Sequence, residues 1–233
     1  MASPQTIQPS TKDNSMEQAY PTGADYTNPY MYVCPSTSAG RRSLVAFNFS
    51  ASVPAGMKIT LATLSLLCSS SLASRTITVY RLLRTDWVEA QATWNIYKSG
   101  SNWGTAGASN TSTDITTTDA ATAASVATGQ WLAETVTAQV QTALDSVSGV
   151  ANFLLVDLGA SDANSNSYYT RDATPSTRCP KLYIEYTLPI LLPKVNIGGT
   201  WKSPVSMMVN IGGTWKTVVS VKVNIGGTWK DLA

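Results

Sequence analysis

Apolar residues recur along this chain mostly at every second position. ITLATLSLLC (59–68) places Leu64, Leu66 and Cys68 on one face of an extended segment. RTITVYRLL (75–83) alternates Ile77, Val79 and Arg81 against Thr76, Thr78 and Tyr80. KLYIEYTL (181–188) sets Leu182, Ile184 and Tyr186 against Lys181, Tyr183, Glu185 and Thr187. RRSLVAFNFS (41–50) reads as a further strand around Leu44 and Ala46. NFLLVDLG (152–159) is a continuous apolar run, short enough for a strand buried on both faces. Gly, Pro, Asn and Ser clusters separate these runs. Only VTAQVQTALDS (136–146) follows a helical period, with Val136, Val140, Ala143 and Leu144 sharing a side. Many short strands without long helices predict an all-β chain folded as an antiparallel jelly-roll sandwich.

Two segments lack a period. Residues 1–20 are polar and read as a flexible arm, or as one ordered only by a partner. Residues 104–129 are rich in Ser, Thr and Ala and read either as a long functional loop or as an extended surface segment. The body of the sandwich is therefore expected over residues 21–188.

Residues 189–233 follow another rule. The octapeptide VNIGGTWK occurs at 195–202, 209–216 and 223–230, each copy 14 residues after the last. Each copy is an alternating strand that meets Gly-Gly, which suits a two-residue hairpin turn, and returns through Thr-Trp-Lys. That register sets Ile197 opposite Thr200 and Asn196 opposite Trp201. A lone hairpin is marginal in water. The apolar groups Ile197, Trp201, Ile211, Trp215, Ile225 and Trp229 are thus expected to serve assembly, by packing on another surface or on further copies. The short run LPILLP (188–193) reads as the linker to this tail.

Charged residues make up only 13% of the chain, against about 25% in ordinary soluble domains. That spareness suits extracellular β proteins and proteins packed into large assemblies. The net charge of +2 is divided unevenly. The tail holds five lysines against Asp231, and residues 1–188 hold 11 basic and 13 acidic side chains. The tail lysines either steer docking onto an acidic surface or block unwanted strand pairing. No Lys/Arg cluster exceeds Arg41–Arg42, so no nucleic-acid partner is expected. No apolar run is long enough to span a membrane, and the first residues lack the apolar region of a secretory signal. Cys34, Cys68 and Cys179 have neither disulfide-framework nor zinc spacing and are expected as buried thiols.

The chain has no histidine, which removes serine and cysteine triads and most zinc chemistry. Carboxylates for glycoside hydrolysis exist at Asp86, Glu89, Asp157, Asp162 and Asp172, but no spacing singles out a pair. An enzyme is therefore not expected. GASDANSNSYYTRD (159–172) carries Asp162, Asn164, Asn166 and Asp172, which suit either a polar loop or a structural calcium. No other cofactor is expected. Trp87, Trp94 and Trp103 lie close in sequence. Such rings either fill a core or stack on sugars. Trp87 and Trp94 are expected to pack in the sandwich core, whereas Trp103, in the loop after Gly100, is the ring expected to be exposed, with Asn95 and Asn102 as hydroxyl partners for a glycan.

VYRLLRTDWVEAQATWNIYKSGSNWGTAGA (79–108), with its core of Trp87, Glu89, Thr93, Trp94 and Asn95, resembles the DNRLRE domain. RRSLVAFNFSASVPAG, ETVTAQVQTAL and the closing PSTRCPKLYIEY extend the resemblance over about residues 20–188. That family, also called disaggregatase-related, is grouped with carbohydrate-binding-module-like jelly rolls. Cys179 before Pro180 departs from its usual Arg-Pro ending. ATWNIYKSG followed by NWGTAGA looks most like the phage-associated form, and the Gly-Gly-x-Trp-Lys tail resembles repeats of phage structural proteins. The resemblance implies a non-enzymatic bacteriophage virion protein on the capsid or tail, as decoration, head fibre or adhesin. Its partners would be other virion proteins and further copies of itself, as a homotrimer or another oligomer. It would assemble in the host cytoplasm and be exposed outside the cell. The alternative is a module that recognises cell-surface polysaccharide; a polysaccharide-active enzyme is a third reading.

Overall fold

The computed structural model describes residues 4–71, 74–146, 148–159, 164–188, 195–197, 200–202, 208–211, 213–218, 222–225 and 228–231. The chain divides into two compact units, Met1–Thr187 and Leu188–Ala233.

The first unit is an antiparallel β-sandwich. One sheet joins β1 (Gln5–Ile7), β3 (Tyr30–Val33), β5 (Lys58–Ser70), β10 (Trp131–Thr135), β12 (Asn166–Tyr169) and β13 (Lys181–Thr187). The other runs in the order β2 (Lys12–Glu17), β4 (Arg41–Asn48), β11 (Val150–Asp157), β6 (Thr76–Leu82) and β9 (Ile115–Ala124). From β1 to β6 consecutive strands alternate between the two sheets, the habit of a jelly roll. Between the sheets, Leu64, Leu66, Cys68, Leu132, Leu182 and Ile184 meet Val45, Phe47, Ile77, Val79, Phe153 and Leu155, all buried. The helix α1 (Thr137–Asp145) closes one edge through Val140, Ala143 and Leu144.

A second apolar layer lies on the outer face of the β2–β4–β11–β6–β9 sheet. There Met16, Leu44, Ala46, Leu82, Ile115, Leu154 and Val156 are covered by Trp87, Ala92, Trp103 and Ala108. The cover is the 83–114 excursion, which contains the small hairpin β7 (Ile96–Lys98) and β8 (Ser101–Asn102). This layer explains why Phe153–Val156 is a continuous apolar run: β11 is buried on both faces.

Two expectations fail here. Residues 5–17 are not an arm but β1 and β2, paired with β13 and β4. Apolar periodicity misses β2 because its buried positions are polar and individually bonded. Asn14 Nδ2 donates to the carbonyls of Glu89 (2.9 Å) and Ala92 (2.7 Å). Asp13 Oδ2 accepts from Ser10 Oγ at 2.6 Å and from the Arg171 amide at 2.9 Å. Likewise, residues 115–124 are not loop but β9, paired with β6 at the sheet edge. Its threonines suit an edge strand, but its small side chains give no hydrophobic alternation to read.

The second unit contains three two-stranded hairpins: β14 (Val195–Ile197) with β15 (Thr200–Lys202), β16 (Met208–Ile211) with β17 (Thr214–Thr217), and β18 (Lys222–Ile225) with β19 (Thr228–Asp231). Ile197 pairs with Thr200 and Asn196 with Trp201, the register expected. In the middle hairpin Asn210 Oδ1 accepts from the Gly213 amide at 2.9 Å.

Candidate functional site

The aromatic motif is mostly a structural lid. Trp87 is 1% exposed, and its indole N–H donates to Asn152 Oδ1 at 2.9 Å. Lys12 Nζ sits 4.1 Å from the Trp87 ring centroid and donates to the Trp87 carbonyl. Glu89 Oε1 accepts from the Asp13 amide at 2.8 Å, so the motif glutamate ties the lid to β2. Thr93 Oγ1 accepts from the amides of Asn95 and Ile96.

Trp103 does not reach solvent. It is 4% exposed, its N–H donates to the Thr93 carbonyl at 2.9 Å, and its ring lies 5.4 Å from that of Tyr97. The short β7–β8 turn folds the residue back under the excursion, where its apolar body finds the second layer. Asn95 and Asn102 are exposed but flank this buried ring, and neither lines a cleft described below. In the 159–172 segment, Asn166 is buried on β12, paired with Val33. Asp162 lies outside the described residues. Among the described residues no three metal-ligating side chains converge.

Trp94, expected in the core, is instead only partly enclosed. It is half-buried and lines an open cleft of about 530 Å³ with Gln18, Ser36, Thr37, Arg42, Ser109 and Asp157. Sheet register explains the meeting. Glu17 at the end of β2 faces Arg41 at the start of β4, Ser43 faces Leu155 near the end of β11, and Asp157 faces Ile77 near the start of β6. Four strands therefore put their ends on one rim of the sheet, and the excursion lays Trp94 across it.

The cleft wall is tightly held. The Arg42 guanidinium lies 5.3 Å from the Trp94 ring centroid and donates to the Gly107 carbonyl at 2.5 Å. The Gly107 amide donates to the Trp94 carbonyl at 2.6 Å. Gly107 has φ +74°, and a Cβ there would stand 2.7 Å from Trp94 Cζ2. On the opposite wall Gln18 Nε2 donates to the Thr37 carbonyl at 3.0 Å. At the floor Asp157 faces Arg75, Nε to Oδ2 3.5 Å, and its Oδ1 accepts from the Gly159 amide at 2.8 Å.

Leu158 and Gly159 are shared with a second open cleft of about 570 Å³, lined by Ser74, Arg75, Thr76, Thr78 and Ala124. Together the two make a groove along the rim, with an aromatic ring, an exposed Leu158, a guanidinium and hydroxyls. An apolar surface with a few placed polar groups is the chemistry a sugar ring needs, with C–H faces to pack and hydroxyls to bond. A smaller cleft beside α1 holds about 150 Å³, below the usual size of a ligand site. On the other sheet Trp131 is capped by Lys181 Nζ at 4.0 Å, and Tyr183 OH donates to Glu185.

Residues 15–186 match the model of carbohydrate-binding module family 96. The chain belongs to this family. The matched span of the family 96 module runs from within β2 to within β13, so it includes both sheets, the excursion and the whole groove. No curated protein matches the chain. No described helix is long and apolar enough to cross a membrane.

Nothing in the local sequence marks the groove. Gln18, Thr37, Arg42, Trp94 and Asp157 are spread over most of the module. The one available signal is the placement of Arg42 at a strand start and of Asp157–Gly159 at a strand end, which antiparallel pairing brings to the same rim.

Proposed function

We propose that this family 96 module binds a polysaccharide along the rim groove, with Trp94 packing against a sugar ring and Arg42 and the cleft hydroxyls bonding its polar groups. The observation that carries the reading is the half-buried Trp94 facing an open cleft while Trp87 and Trp103 are enclosed. Binding occurs without turnover: the one carboxylate lining the Trp94 cleft, Asp157, is held by Arg75 and by a backbone amide.

The test is affinity electrophoresis and a printed array covering bacterial, algal and plant polysaccharides, with wild type, Trp94→Ala and Ala106→Trp. Ala106 is exposed on the cleft wall, so its enlargement fills the groove without entering either core. Retention by a polysaccharide in wild type, lost in both variants, with Ala106→Trp melting as wild type does and Trp94→Ala still folded at the assay temperature, is the expected result. Equal retention of all three proteins refutes the site.

A second reading, display of the module on a phage virion as a DNRLRE-like domain, draws on the tail. In the middle repeat Ile211 is 56% exposed and Trp215 is 64% exposed, which suits a segment that meets another surface. Peptides of this chain in mass spectra of purified particles test it.

A further inference from the structure

The middle tail hairpin is apolar on both sides. Asn210 pairs with Trp215 and Ile211 with Thr214, and neighbouring residues on a strand point to opposite faces. One face therefore carries Ile211, Thr214 and Lys216; the other carries Asn210, Trp215 and Thr217. Ile211 and Trp215 are both more than half exposed, so among the described residues neither face is enclosed. Among the described residues each hairpin is its own two-stranded sheet, and no strand of one pairs with the next. The other two copies share its octapeptide and its register.

We propose that the tail is a self-association device in which the Ile–Lys face of a hairpin in one chain seats on the Trp face of a hairpin in a second chain. The two faces complement one another: isoleucine supplies apolar area to the indole, and the lysine ammonium meets the negative ring face. The body already uses this pairing, with lysine over tryptophan at 4.1 Å (Lys12–Trp87) and 4.0 Å (Lys181–Trp131). Like faces do not complement each other. Two Ile–Lys faces would bring lysines together, which gives the joint a direction.

Repetition follows from size. A buried aromatic side chain covers about 150–250 Å², far below the roughly 1,200–2,000 Å² of a stable interface. Three linked joints triple the covered area, and the second and third form within an already tethered pair, so avidity supplies what area does not. A directed face-on-back joint leaves a free face at each end, so association propagates from chain to chain until the rotation closes it into a ring, or without limit if it does not.

Sedimentation of the full-length chain over a concentration series tests the proposal. Wild type should grow in mass with concentration. Trp201→Ser/Trp215→Ser/Trp229→Ser should raise the midpoint of association by about a hundredfold or more, the scale on which linked contacts exceed single ones. Ile197→Ser/Ile211→Ser/Ile225→Ser should do the same. The deciding step mixes the two variants. One keeps only the isoleucine faces and the other only the tryptophan faces, so together they should form a complex of one chain of each, which grows no further. A wild-type chain that stays monomeric throughout overturns the proposal, as does either variant associating like wild type. A mixture that stays monomeric overturns it too, whether the cause is a wrong pairing or a collapsed hairpin. The melting temperature of the body is an internal control and should not move.

Discussion

Replacing Gly107 by alanine should damage the module through two separable effects. The residue sits at φ +74°, where a side chain costs about 1–2 kcal/mol. The new Cβ would also stand 2.7–2.9 Å from three atoms of the Trp94 indole. Ordinary carbon contact begins near 3.4 Å, so the ring must retreat by about 0.7 Å. It has little room, because Arg42 lies against it and the Gly107 amide is bonded to its own carbonyl. Overpacking of this kind adds about 1–3 kcal/mol. The total is roughly 2–5 kcal/mol, a fall in melting temperature of about 10 °C for a module of this size. Gly56→Ala isolates the backbone part, since Gly56 has φ +78° and nothing within 4 Å of its Cβ position. It should lose only about 1–2 kcal/mol, or a few degrees. Differential scanning calorimetry of both variants measures the steric part as their difference. Retention by the groove's polysaccharide should fall in Gly107→Ala and hold in Gly56→Ala. Equal melting temperatures for the two variants would show that Trp94 is not confined by Gly107, and the account of the cleft wall would be wrong.

Trp87→Phe should destabilise the module by about 1–3 kcal/mol in urea titration, because it leaves the buried Asn152 Oδ1 without its donor. Adding Asn152→Leu should recover part of that loss, and strict additivity of the two substitutions would refute the bond's role. A pH dependence follows from two buried carboxyls: burial pushes Asp13 up to about 7 and Glu134 up to about 7. The unfolded chain releases these protons near about pH 4, so between 4 and 7 the folded state holds the extra protons and stability falls as pH rises. Each contribution is whole below about pH 4 and gone once pH passes 7, a few kcal/mol apiece at about 1.4 kcal/mol per unit. Above about pH 8 the sense reverses at Lys12, which burial lowers to about 8. The module should therefore melt higher at about pH 5 than at about pH 8, and Asp13→Asn with Glu134→Gln should flatten the profile. A wild-type melting temperature that climbs over that range contradicts the two assignments.

The sandwich was legible wherever one face of a strand meets apolar side chains and the other does not. β5, β6 and β13 alternate for that reason, and β11 reads as a solid apolar run because the excursion covers its second face. β2 and β9 were illegible for opposite reasons. β2 is buried with polar side chains, and two of them are bonded to partners about 75 residues away or farther, Asn14 to Glu89 and Asp13 to Arg171. β9 has one side of its ladder at a sheet edge and a composition of Thr and Ala. In both, what holds the strand is specific and distant, and distance does not appear in a local period.

The site shows the same limit more sharply. Trp94 and Trp103 stand nine residues apart on one excursion, and nothing in composition ranks their exposure. Their fates are set by the backbone around them. The β7–β8 turn returns Trp103 beneath the lid, where the Thr93 carbonyl accepts its N–H. Gly107, with no side chain, lets the Trp94 ring lie flat beside Arg42 at the rim instead of being driven outward or inward. The feature that decides which tryptophan can meet a sugar is thus a glycine 13 residues downstream of Trp94 and an arginine 52 residues upstream. Sequence reading can see all three residues, but it joins them only once the register of β4 against β11 is known. For the tail the logic runs the other way. Its hairpin register was fixed by the repeat itself, because pairing, turn and return strand all lie within eight residues.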